Sequence, residues 1–410
     1  MIPLAIKARQ ILDSRHEKTI AVEVENSEGR FEASAPSGKS IGKNEKTAFG
    51  KDINFSIEAI NLLGRKICSE RIVLNSFDDL RKIEDFVRKI DKTSRLEIFG
   101  ANALYALEAA LLKAMAASNK EELWQFLLEE NKNEKIRLPL PLGNVIGGGM
   151  HIEQKQKTDF QEFLFLPRTQ HFFDAYFINL QAYKIAKKLL VEKDSEWQGE
   201  LTDENALAPT LSNEDVLKIM IEAKREIEEK FGVEIGIGID VAASSFYHGF
   251  YYYKNKKAKL SRDQQLEYIA RIAKKHGLTY VEDPLHEEDF SGFARLRKIL
   301  AKLNVRCLVC GDDLTCTQLS RVEKAVGENA IDALLIKPNQ VGSLLETKDV
   351  IDFAKHNNIT PIISHRSGET CDDTIAHLAV GWQLPFIKTG VLGKERFAKL
   401  HALLRIERKL

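Results

Sequence analysis

Cysteine is scarce in this sequence and forms no repeating framework. The 410 residues include five cysteines, an odd number that argues against a set of disulfides and is typical of reduced thiols. Cys307 and Cys310 have a CxxC spacing. They fall in a predicted strand, where residues three apart point to opposite faces, so they are badly placed to share a metal ion. We interpret them as buried thiols rather than a zinc or redox site.

Long apolar runs are also missing. The longest, Ala101–Ser118, is interrupted by Asn102, Glu108 and Lys113 and falls short of the roughly 18 apolar residues that a membrane-spanning helix needs. The first 15 residues lack a charged segment followed by an apolar core and a small-residue cleavage site. These absences predict a cytoplasmic protein that does not cross a membrane.

The sequence has no excess charge of either sign. Sixty basic residues balance 60 acidic ones, which removes the bulk attraction that draws basic proteins to nucleic acid or anionic membranes. Residues 251–259 do combine three tyrosines with four lysines, a composition found in single-strand binders. A solvated hairpin explains the same pattern, and we favour it. We therefore expect neither a nucleic-acid partner nor a membrane partner.

The organisation of the chain predicts two unequal domains, residues 1–130 and residues 137–410. Hydrophobic residues make up 44% of the sequence, enough for a sizeable core. Residues 19–25 and 30–35 read as an antiparallel strand pair, and helical spacing follows over residues 57–67, 77–89 and 101–117. The first part is thus predicted to be a small α+β domain. Polar residues 131–135, followed by two prolines, are typical of a linker.

The second part predicts a closed β/α barrel with an irregular start. Two apolar strands, residues 138–146 and 160–166, are joined without a helix and should be antiparallel. Two helices follow, near residues 173–192 and 213–231. Six strands, each preceding a helix, are then predicted at residues 233–239, 278–281, 305–309, 333–336, 360–364 and 385–387. Eight strands close a barrel that side chains can fill, so we predict the order ββαα(βα)6.

An ionisable residue stands at or just beyond the C-terminal end of each of these six strands. In chain order they are Asp240, Glu282, Asp312, Lys337, His365 and Lys388. Strand ends on this face of a barrel point into one mouth. Three carboxylates there would repel one another unless a cation lay between them, and oxygen ligands favour Mg²⁺ over zinc. The alternative is that they are solvated strand-end acids or helix N-caps.

The two lysines complete this set. Near bound metal and near each other, Lys337 and Lys388 would favour the neutral amine, which is a base. Such a base, with metal ions to stabilise an enediolate, could remove a proton next to a carboxylate. Alternatively, the lysines only form ion pairs with the acids. On the first interpretation the residues predict a site for α-proton abstraction.

Motifs along nearly the whole length of the sequence match those of one known family. The most specific motif is Ser364-His-Arg-Ser-Gly-Glu-Thr370. Shorter matching segments are Arg9-Gln-Ile-Leu-Asp-Ser-Arg15, Pro36-Ser-Gly-Lys-Ser-Ile-Gly42, Gln161-Glu-Phe163, Glu282-Asp-Pro284, Gly311-Asp-Asp-Leu314, Ile336-Lys-Pro-Asn-Gln340, Ile387-Lys-Thr-Gly390 and Leu404-Arg-Ile-Glu407. On these motifs the sequence resembles the enolase family, and the resemblance implies reversible dehydration of 2-phosphoglycerate to phosphoenolpyruvate, a step of glycolysis and gluconeogenesis. It also implies a homodimer or a larger homo-oligomer.

The resemblance further implies a role for each matching residue. Lys337 is similar to the family's base, Glu204 to the acid that helps the hydroxyl leave, and Glu162 to the carboxylate that supports this acid. Residues similar to the family's pocket and substrate contacts are His151, Gln161, His365, Arg366, Ser367 and Lys388. The implied cofactor is Mg²⁺, two ions per site with the second arriving with substrate. Its implied ligands are Asp240, Glu282 and Asp312, together with Ser40 on a mobile loop.

The sequence departs from the family pattern around the proposed acid. The family has Gly-Asp-Glu-Gly-Gly, whereas this chain has Thr202-Asp-Glu-Asn-Ala206, so two positions lose the freedom of glycine to take positive φ. Residues 152–159 are also about two residues longer than is usual. These departures leave two alternatives open: a non-catalytic scaffold or binding protein that kept the fold, and a related enzyme that acts on another carboxylate.

Overall fold

The computed structural model describes residues 1–39, 42–128, 136–154 and 156–410. The chain begins with a three-stranded antiparallel sheet in the order β1–β2–β3, formed by β1 (Ala5–Leu12), β2 (Lys18–Asn26) and β3 (Gly29–Ser34). Sequence patterning predicted β2 and β3 but missed β1. Only Ile6 and Ala8 of β1 are buried, so its apolar alternation is too short to be recognised without the partner strand.

Four helices follow this sheet: α1 (Ile53–Ser69), α2 (Leu80–Ile90), α3 (Ala101–Ser118) and α4 (Leu123–Phe126). Helix α3, the apolar segment, is buried on nearly all sides. Its Glu108 accepts a hydrogen bond of 2.6 Å from the amide of Leu344 in the barrel half of the chain. The segment is therefore a core helix. None of the helices in the described ranges has both the length and the apolar character of a membrane span.

The rest of the chain forms a closed eight-stranded barrel and a separate hairpin. The barrel strands are β4 (Leu140–Gly147), β5 (Glu162–Pro167), β6 (Ile235–Asp240), β9 (Leu278–Glu282), β10 (Leu308–Gly311), β11 (Ala333–Ile336), β12 (Thr360–Ser364) and β13 (Phe386–Lys388). Strand β5 is antiparallel to both of its neighbours, β4 and β6. This confirms the predicted antiparallel pair and the irregular start. The hairpin of β7 (Tyr251–Tyr253) and β8 (Ala258–Leu260) confirms the favoured interpretation of residues 251–259.

Helices cover the outside of the barrel in the predicted order. They are α5 (Phe172–Lys193), α6 (Asn213–Phe231), α7 (Arg262–His276), α8 (Phe290–Lys302), α9 (Leu319–Gly327), α10 (Pro338–Val341), α11 (Leu344–His356), α12 (Thr374–Gly381) and α13 (Lys394–Glu407). Local sequence signals set several of their ends. The Ser212 side chain caps α6 at the amide of Asp215, and Gly232 ends this helix at a φ of 65°.

The interior of the barrel is a small apolar cluster that lies beneath the predicted site. Its buried members are Leu142, Leu164, Tyr280, Cys310, Ala333, Leu335 and Ile362. Cys310 belongs to this cluster, whereas Cys307 lies one residue before β10 rather than inside the predicted strand. Both thiols are unpaired, as are the other three. The packed interior closes the barrel between its two ends, so the site is open only toward the C-terminal mouth.

Candidate active site

The barrel brings the residues predicted at strand ends into one pocket. Asp240, Glu282 and Lys388 are the last residues of β6, β9 and β13. Asp312, Lys337 and His365 directly follow β10, β11 and β12. The pocket lining comprises Gly38, His151, Gln161, Glu162, Glu204, Asp240, Asp312, Lys337, Ser364, His365, Arg366, Ser367 and Lys388. Glu282 lies beside Asp240 in the register of the two strands. Twelve of the 13 predicted site residues are thus gathered at one mouth.

The remaining predicted residue, Ser40, lies outside the described part of the chain. The two residues before it, Gly38 and Lys39, are described and reach the pocket. Gly38 lines it, and the amide of Lys39 donates a hydrogen bond of 2.7 Å to the Ser367 hydroxyl. Ser37 and Gly368 exchange two backbone hydrogen bonds of 2.7 and 2.8 Å. The N-terminal segment is therefore held against the loop that follows β12.

Lys388 lies among three carboxylates. Its Nζ is 2.8 Å from Glu162 Oε2 and 2.9 Å from both oxygens of Glu282. Asp240 Oδ2 is 3.5 Å away, and the same oxygen accepts a hydrogen bond of 3.3 Å from Gln161. Burial lowers the pKa of the Lys388 amine, but these carboxylates outweigh that effect and raise the pKa well above its ordinary value.

Lys337 is paired with Asp312 and positioned by its backbone. The Lys337 ammonium donates a hydrogen bond to Asp312 Oδ2, and the Lys337 amide donates one of 2.9 Å to the Thr317 hydroxyl. Burial lowers the pKa of Lys337, but the charge of Asp312 more than offsets this and the net pKa is raised. The carboxylates alone thus hold Lys337 protonated, which is the opposite direction from the neutral amine that the sequence argument expects.

The donor set at this mouth fits a divalent cation. Burial and mutual repulsion raise the pKa of Asp240 to about 7 and that of Glu282 to about 8. The other oxygen of Asp312, Oδ1, is buried and has no hydrogen-bond partner within the described ranges. Five carboxyl groups face two lysines here, and the remaining cation of the lining, Arg366, is paired with Glu45, so all five can ionise together only if a further cation is bound. A carboxylate oxygen whose lone pairs accept no hydrogen bond is free to bind a hard metal ion.

The three predicted metal ligands are divided between the two lysines, because Lys388 contacts Asp240 and Glu282 whereas Asp312 is paired with Lys337. Within the described ranges, the sets of three potential ligands whose atoms lie within 4.8 Å of each other are His151, Glu162 and Glu204, and Asp283, Asp312 and Asp313. Asp283 and Asp313 were not predicted, although each directly follows a predicted ligand. Asp283 accepts hydrogen bonds of 3.0 and 2.7 Å from the amides of Asp312 and Asp313. It therefore positions the backbone of this loop.

Glu204 is buried between two histidines. Its carboxylate is 3.5 Å from His365 Nε2 and 3.6 Å from His151 Nδ1, and it accepts a hydrogen bond of 3.0 Å from Asn144. Burial raises the pKa of Glu204, but the charges of His365 and His151 outweigh burial and lower it. Burial raises the pKa of neighbouring Glu162 to about 8. Near neutral pH the proton of this pair is therefore held by Glu162 rather than by Glu204.

The loop that carries Glu204 accommodates the substitutions that distinguish it from the family pattern. Asn205 takes a φ of 62°, a conformation that asparagine tolerates better than most residues. Thr202 closes the loop, because its hydroxyl accepts hydrogen bonds of 3.2 Å from the amides of Glu204 and Ala206. Tyr183 donates a hydrogen bond of 3.2 Å to the Asn205 carbonyl. The loop of residues 202–206 therefore keeps positive φ at Asn205, one of the positions where the family has glycine.

Arg366 is oriented from two directions. Its guanidinium donates hydrogen bonds of 2.9 and 3.0 Å to both oxygens of Glu45 and one of 3.1 Å to Asn339. Arg396 on α13 donates a hydrogen bond of 2.8 Å to the carbonyl of Ser367. Glu45, which belongs to the N-terminal segment, is separated from Arg366 by 321 positions. Sequence reasoning missed it because no local pattern marks such a partner.

Two further polar groups near Glu204 were missed. Asn144 lies in the otherwise apolar strand β4, and a polar residue in a buried strand is a signal that could have found it. Asp203 Oδ1 is 3.3 Å from His151 Nδ1, but nothing in the sequence distinguishes Asp203 from an exposed loop acid. Asn144 contacts Glu204 itself and Asp203 contacts His151, so both residues belong to the site.

A closed β/α barrel with carboxylates and lysines at its C-terminal mouth, beside a buried carboxyl between two histidines, defines a barrel enzyme that acts on a small molecule. Residues 135–410 match the family described as "Enolase, C-terminal TIM barrel domain", and residues 4–127 match "Enolase, N-terminal domain". The chain belongs to the enolase family.

Proteins named enolase are similar to this chain over nearly its full length. The enolase of Methanothermobacter thermautotrophicus is 39% identical over 412 residues, which cover 99% of this chain and 96% of the relative. The enolase of Methanocorpusculum labreanum is 40% identical and covers 98% of both chains. That of Archaeoglobus fulgidus is 38% identical, covering 99% of this chain and 97% of the relative. The resemblance inferred from the motifs is confirmed.

Proposed function

We propose that this protein is a phosphopyruvate hydratase, a hydro-lyase that interconverts 2-phosphoglycerate and phosphoenolpyruvate in glycolysis and gluconeogenesis. One observation carries the proposal: in a chain of the enolase family, Lys337 and Glu204 line one pocket without contacting each other. One group can therefore handle the proton at C2 while the other handles the hydroxyl at C3.

The implied cofactor is Mg²⁺, two ions per site, held by Asp240, Glu282 and Asp312 with Ser40 completing the second. The unpartnered Oδ1 of Asp312 and the excess of acid over amine support a cation here. When bound, Mg²⁺ would neutralise these carboxylates, polarise the carboxylate of the substrate and so lower the pKa of the proton to be removed. With its charge neutralised, Asp312 would no longer hold Lys337 protonated.

The chain's own groups then divide the proton transfers between them. Lys337, once neutral, takes the proton from C2 as the general base. Glu204 delivers a proton to the departing hydroxyl; because the pKa of Glu204 itself is lowered, neighbouring Glu162, whose carboxyl stays protonated to about pH 8, supplies that proton. His151 and His365 flank Glu204 and restrict its orientation. The reverse direction uses the same groups in the opposite order.

Substrate recognition is assigned to the remaining polar residues. Arg366 offers the planar fork of donors that suits a phosphate, and Ser367 adds a hydroxyl beside it. Gln161, Lys388 and His365 line the other wall of the pocket, where the carboxylate and hydroxyl of 2-phosphoglycerate would lie. Because the phosphate and the carboxylate of the substrate are both anionic, the cationic side chains of Arg366 and Lys388 suit them.

We further propose a two-domain division into residues 1–130 and 137–410, a cytoplasmic location and a homodimer or larger homo-oligomer. The family resemblance supports all three. Size-exclusion chromatography with light scattering tests the last, because a monomer has a mass of 46.4 kDa. A mass at that value at micromolar concentration would contradict it.

The other candidate functions are not favoured. A scaffold that lost catalysis would be suggested by a disordered or displaced acid loop, but Glu204 remains buried between His151 and His365. An enzyme acting on an unphosphorylated carboxylate would not need Arg366 at the pocket wall. The hairpin over residues 251–260 buries Tyr251 and Tyr253, which leaves few aromatic faces for nucleic-acid stacking.

The decisive experiment measures phosphoenolpyruvate formation by ultraviolet absorbance after 2-phosphoglycerate and Mg²⁺ are mixed with the protein. Wild type should form product, whereas Lys337→Ala and Glu204→Gln should lower kcat by at least about 10²-fold. Arg366→Ala should abolish turnover of 2-phosphoglycerate. Lys298→Ala, an exposed lysine on α8, is the matched control. No product from wild type over varied pH and metal concentration would refute the proposal.

A further inference from the structure

The barrel has a second cavity at the end opposite the active site. It has a volume of about 580 Å³ and opens between the N-terminal ends of the parallel strands and the C-terminal end of α8. Strand β13 shows the separation: Phe386 at its start lines this cavity, and Lys388 at its end lines the active site. The proposed catalytic residues have no place in its lining, so the cavity needs an account of its own.

The floor of the cavity is apolar and only partly covered. Leu166, Leu308 and Phe386 pack against the interior cluster of the barrel, but each is half-buried, whereas Leu142, Leu164 and Cys310 above them are buried. Leu140 at the start of β4 is half-buried in the same way. Apolar surface left open to water in a concave site favours an apolar occupant. The volume of the cavity lies within the range of small-molecule pockets, roughly 300–1,000 Å³.

The rim of the cavity is cationic. Arg297 is bound to Asp332, with its Nε 2.9 Å from Asp332 Oδ1, and Arg168 is 3.1 Å from Glu234. Arg306 also lines the cavity and is exposed, and within the described ranges its side chain forms no hydrogen bond or ion pair. Two of the three arginines are therefore neutralised by acids, and Arg306 adds a positive charge that nothing in the described ranges compensates.

We propose that this cavity, lined by Leu308, Phe386 and Arg306, is a binding site for an amphipathic anion: an aliphatic or aromatic body of about eight to ten heavy atoms that carries a carboxylate or phosphate. The apolar body covers the open floor, and the anionic head lies at the rim beside Arg306. Carboxylate and phosphate heads share the chemistry that a guanidinium recognises. Binding here requires neither Mg²⁺ nor substrate, because the packed interior of the barrel separates the two pockets.

Octanoate and octyl phosphate are the probes, with 1-octanol as the uncharged comparison, in isothermal titration calorimetry on the full chain. Both anions should bind one site per chain with or without Mg²⁺. Arg306→Gln should weaken their binding about tenfold, because a charge-assisted hydrogen bond is lost, and should leave that of octanol unchanged. Lys302→Ala is the matched control, because it removes an exposed charge at the end of α8 that is not part of the cavity lining.

A blocking variant separates this site from general adsorption. Ala301 lines the cavity, so Ala301→Trp should fill it and abolish binding of all three probes, with folding checked by circular dichroism. A crystal soaked with 8-bromooctanoate should show bromine between Leu308 and Phe386. The proposal is overturned if neither anion binds at millimolar concentration, if Arg306→Gln binds them as tightly as wild type, or if folded Ala301→Trp retains binding. Bromine located elsewhere on the molecule overturns it too.

Discussion

Single residues outside the predicted set determine how the acids of the mouth are oriented. Tyr280 is fully buried in the barrel interior, and its hydroxyl donates a hydrogen bond of 2.6 Å to Glu282 Oε2. Lys388 contacts the same carboxylate from the other side. Because Glu282 is thus held between two donors, its rotamer is fixed before any ligand arrives. Groups that fix metal ligands in this way commonly affect metal affinity strongly.

We expect Tyr280→Phe to weaken Mg²⁺ binding about tenfold while the fold is kept, since the ring still fills its place in the barrel. The Mg²⁺ concentration that gives half-maximal activity, together with a direct Mg²⁺ titration by calorimetry, measures this effect. Tyr252→Phe, an exposed tyrosine of the hairpin, is the control. Equal Mg²⁺ affinities for Tyr280→Phe and wild type would show that the hydroxyl does not position Glu282.

Asn205 supplies the backbone conformation of the acid loop. At a φ of 62°, a β-branched residue costs roughly 1–2 kcal/mol more than asparagine. We expect Asn205→Val to lower the free energy of unfolding by about that amount. It should also lower kcat, because Glu204 is the preceding residue. Asn205→Gly, which restores the family's residue, should keep both. Urea denaturation and the absorbance assay measure the two quantities; an active and stable Asn205→Val would be inconsistent with this account.

At the scale of elements, one acid joins two helices and a hairpin. Glu214, in the first turn of α6, is 2.7 Å from Lys256 of the hairpin loop and 3.3 Å from both Arg271 and Lys275 of α7. The hydrogen bond from Lys256 is the largest of the effects that lower the pKa of Glu214 from 4.5 to about 2. A lowered pKa in the folded state stabilises the fold above the unfolded pKa and loses that effect as the pH falls.

We therefore expect Glu214→Gln to lower the free energy of unfolding by roughly 1 kcal/mol at pH 7. The difference from wild type should shrink as the pH falls from about 4.5 toward 2, because wild-type Glu214 becomes protonated in that window. Urea denaturation at pH 7 and pH 3 measures both values. Glu229→Gln on the same helix, whose side chain is 72% exposed, is the control. A difference that stays constant with pH would mean that charge is not the cause.

At the scale of the whole molecule, the N-terminal segment and the barrel complete one site. Glu45 and the strand-like pairing of Ser37 with Gly368 bring the beginning of the chain onto the loop of Arg366. Helix α3 lies buried against the sheet and contacts α10 and α11 of the barrel half. The excess negative charge of the site is consequently buried at the centre of the molecule, where it opposes folding unless a cation is bound.

We expect Mg²⁺ to raise the thermal unfolding temperature by roughly 3–5 °C at saturating concentration, because a ligand that binds only the folded state stabilises it. Differential scanning fluorimetry in MgCl₂, against NaCl of equal ionic strength with EDTA, measures the shift. Asp312→Asn should reduce this shift, since it removes one proposed ligand. The same rise in wild type and Asp312→Asn would place the stabilising ion elsewhere.

Much of this fold was predictable because its signals are local. Each β/α unit carries its own apolar strand and amphipathic helix, and eight strands leave few ways to close a sheet. The strand ends of a barrel necessarily meet, so Asp240, Glu282 and Asp312 could be placed at one mouth from spacing alone. Strand β1 was missed because only pairing with β2, across the turn at residues 13–17, makes its short alternation meaningful.

The sequence by itself determined the barrel, the identity of the chemical groups at its mouth and the family to which the chain belongs, since all three rest on local pattern and motif. Only the tertiary structure decided which partner each group has: Lys388 among three acids, Lys337 on Asp312, Glu204 between two histidines and Arg366 on Glu45. Those partners come from distant positions in the chain, and protonation in a buried site depends on the charges and desolvation that such partners create. The half-covered cavity beside Arg306 likewise exists only because strand and helix ends meet in space.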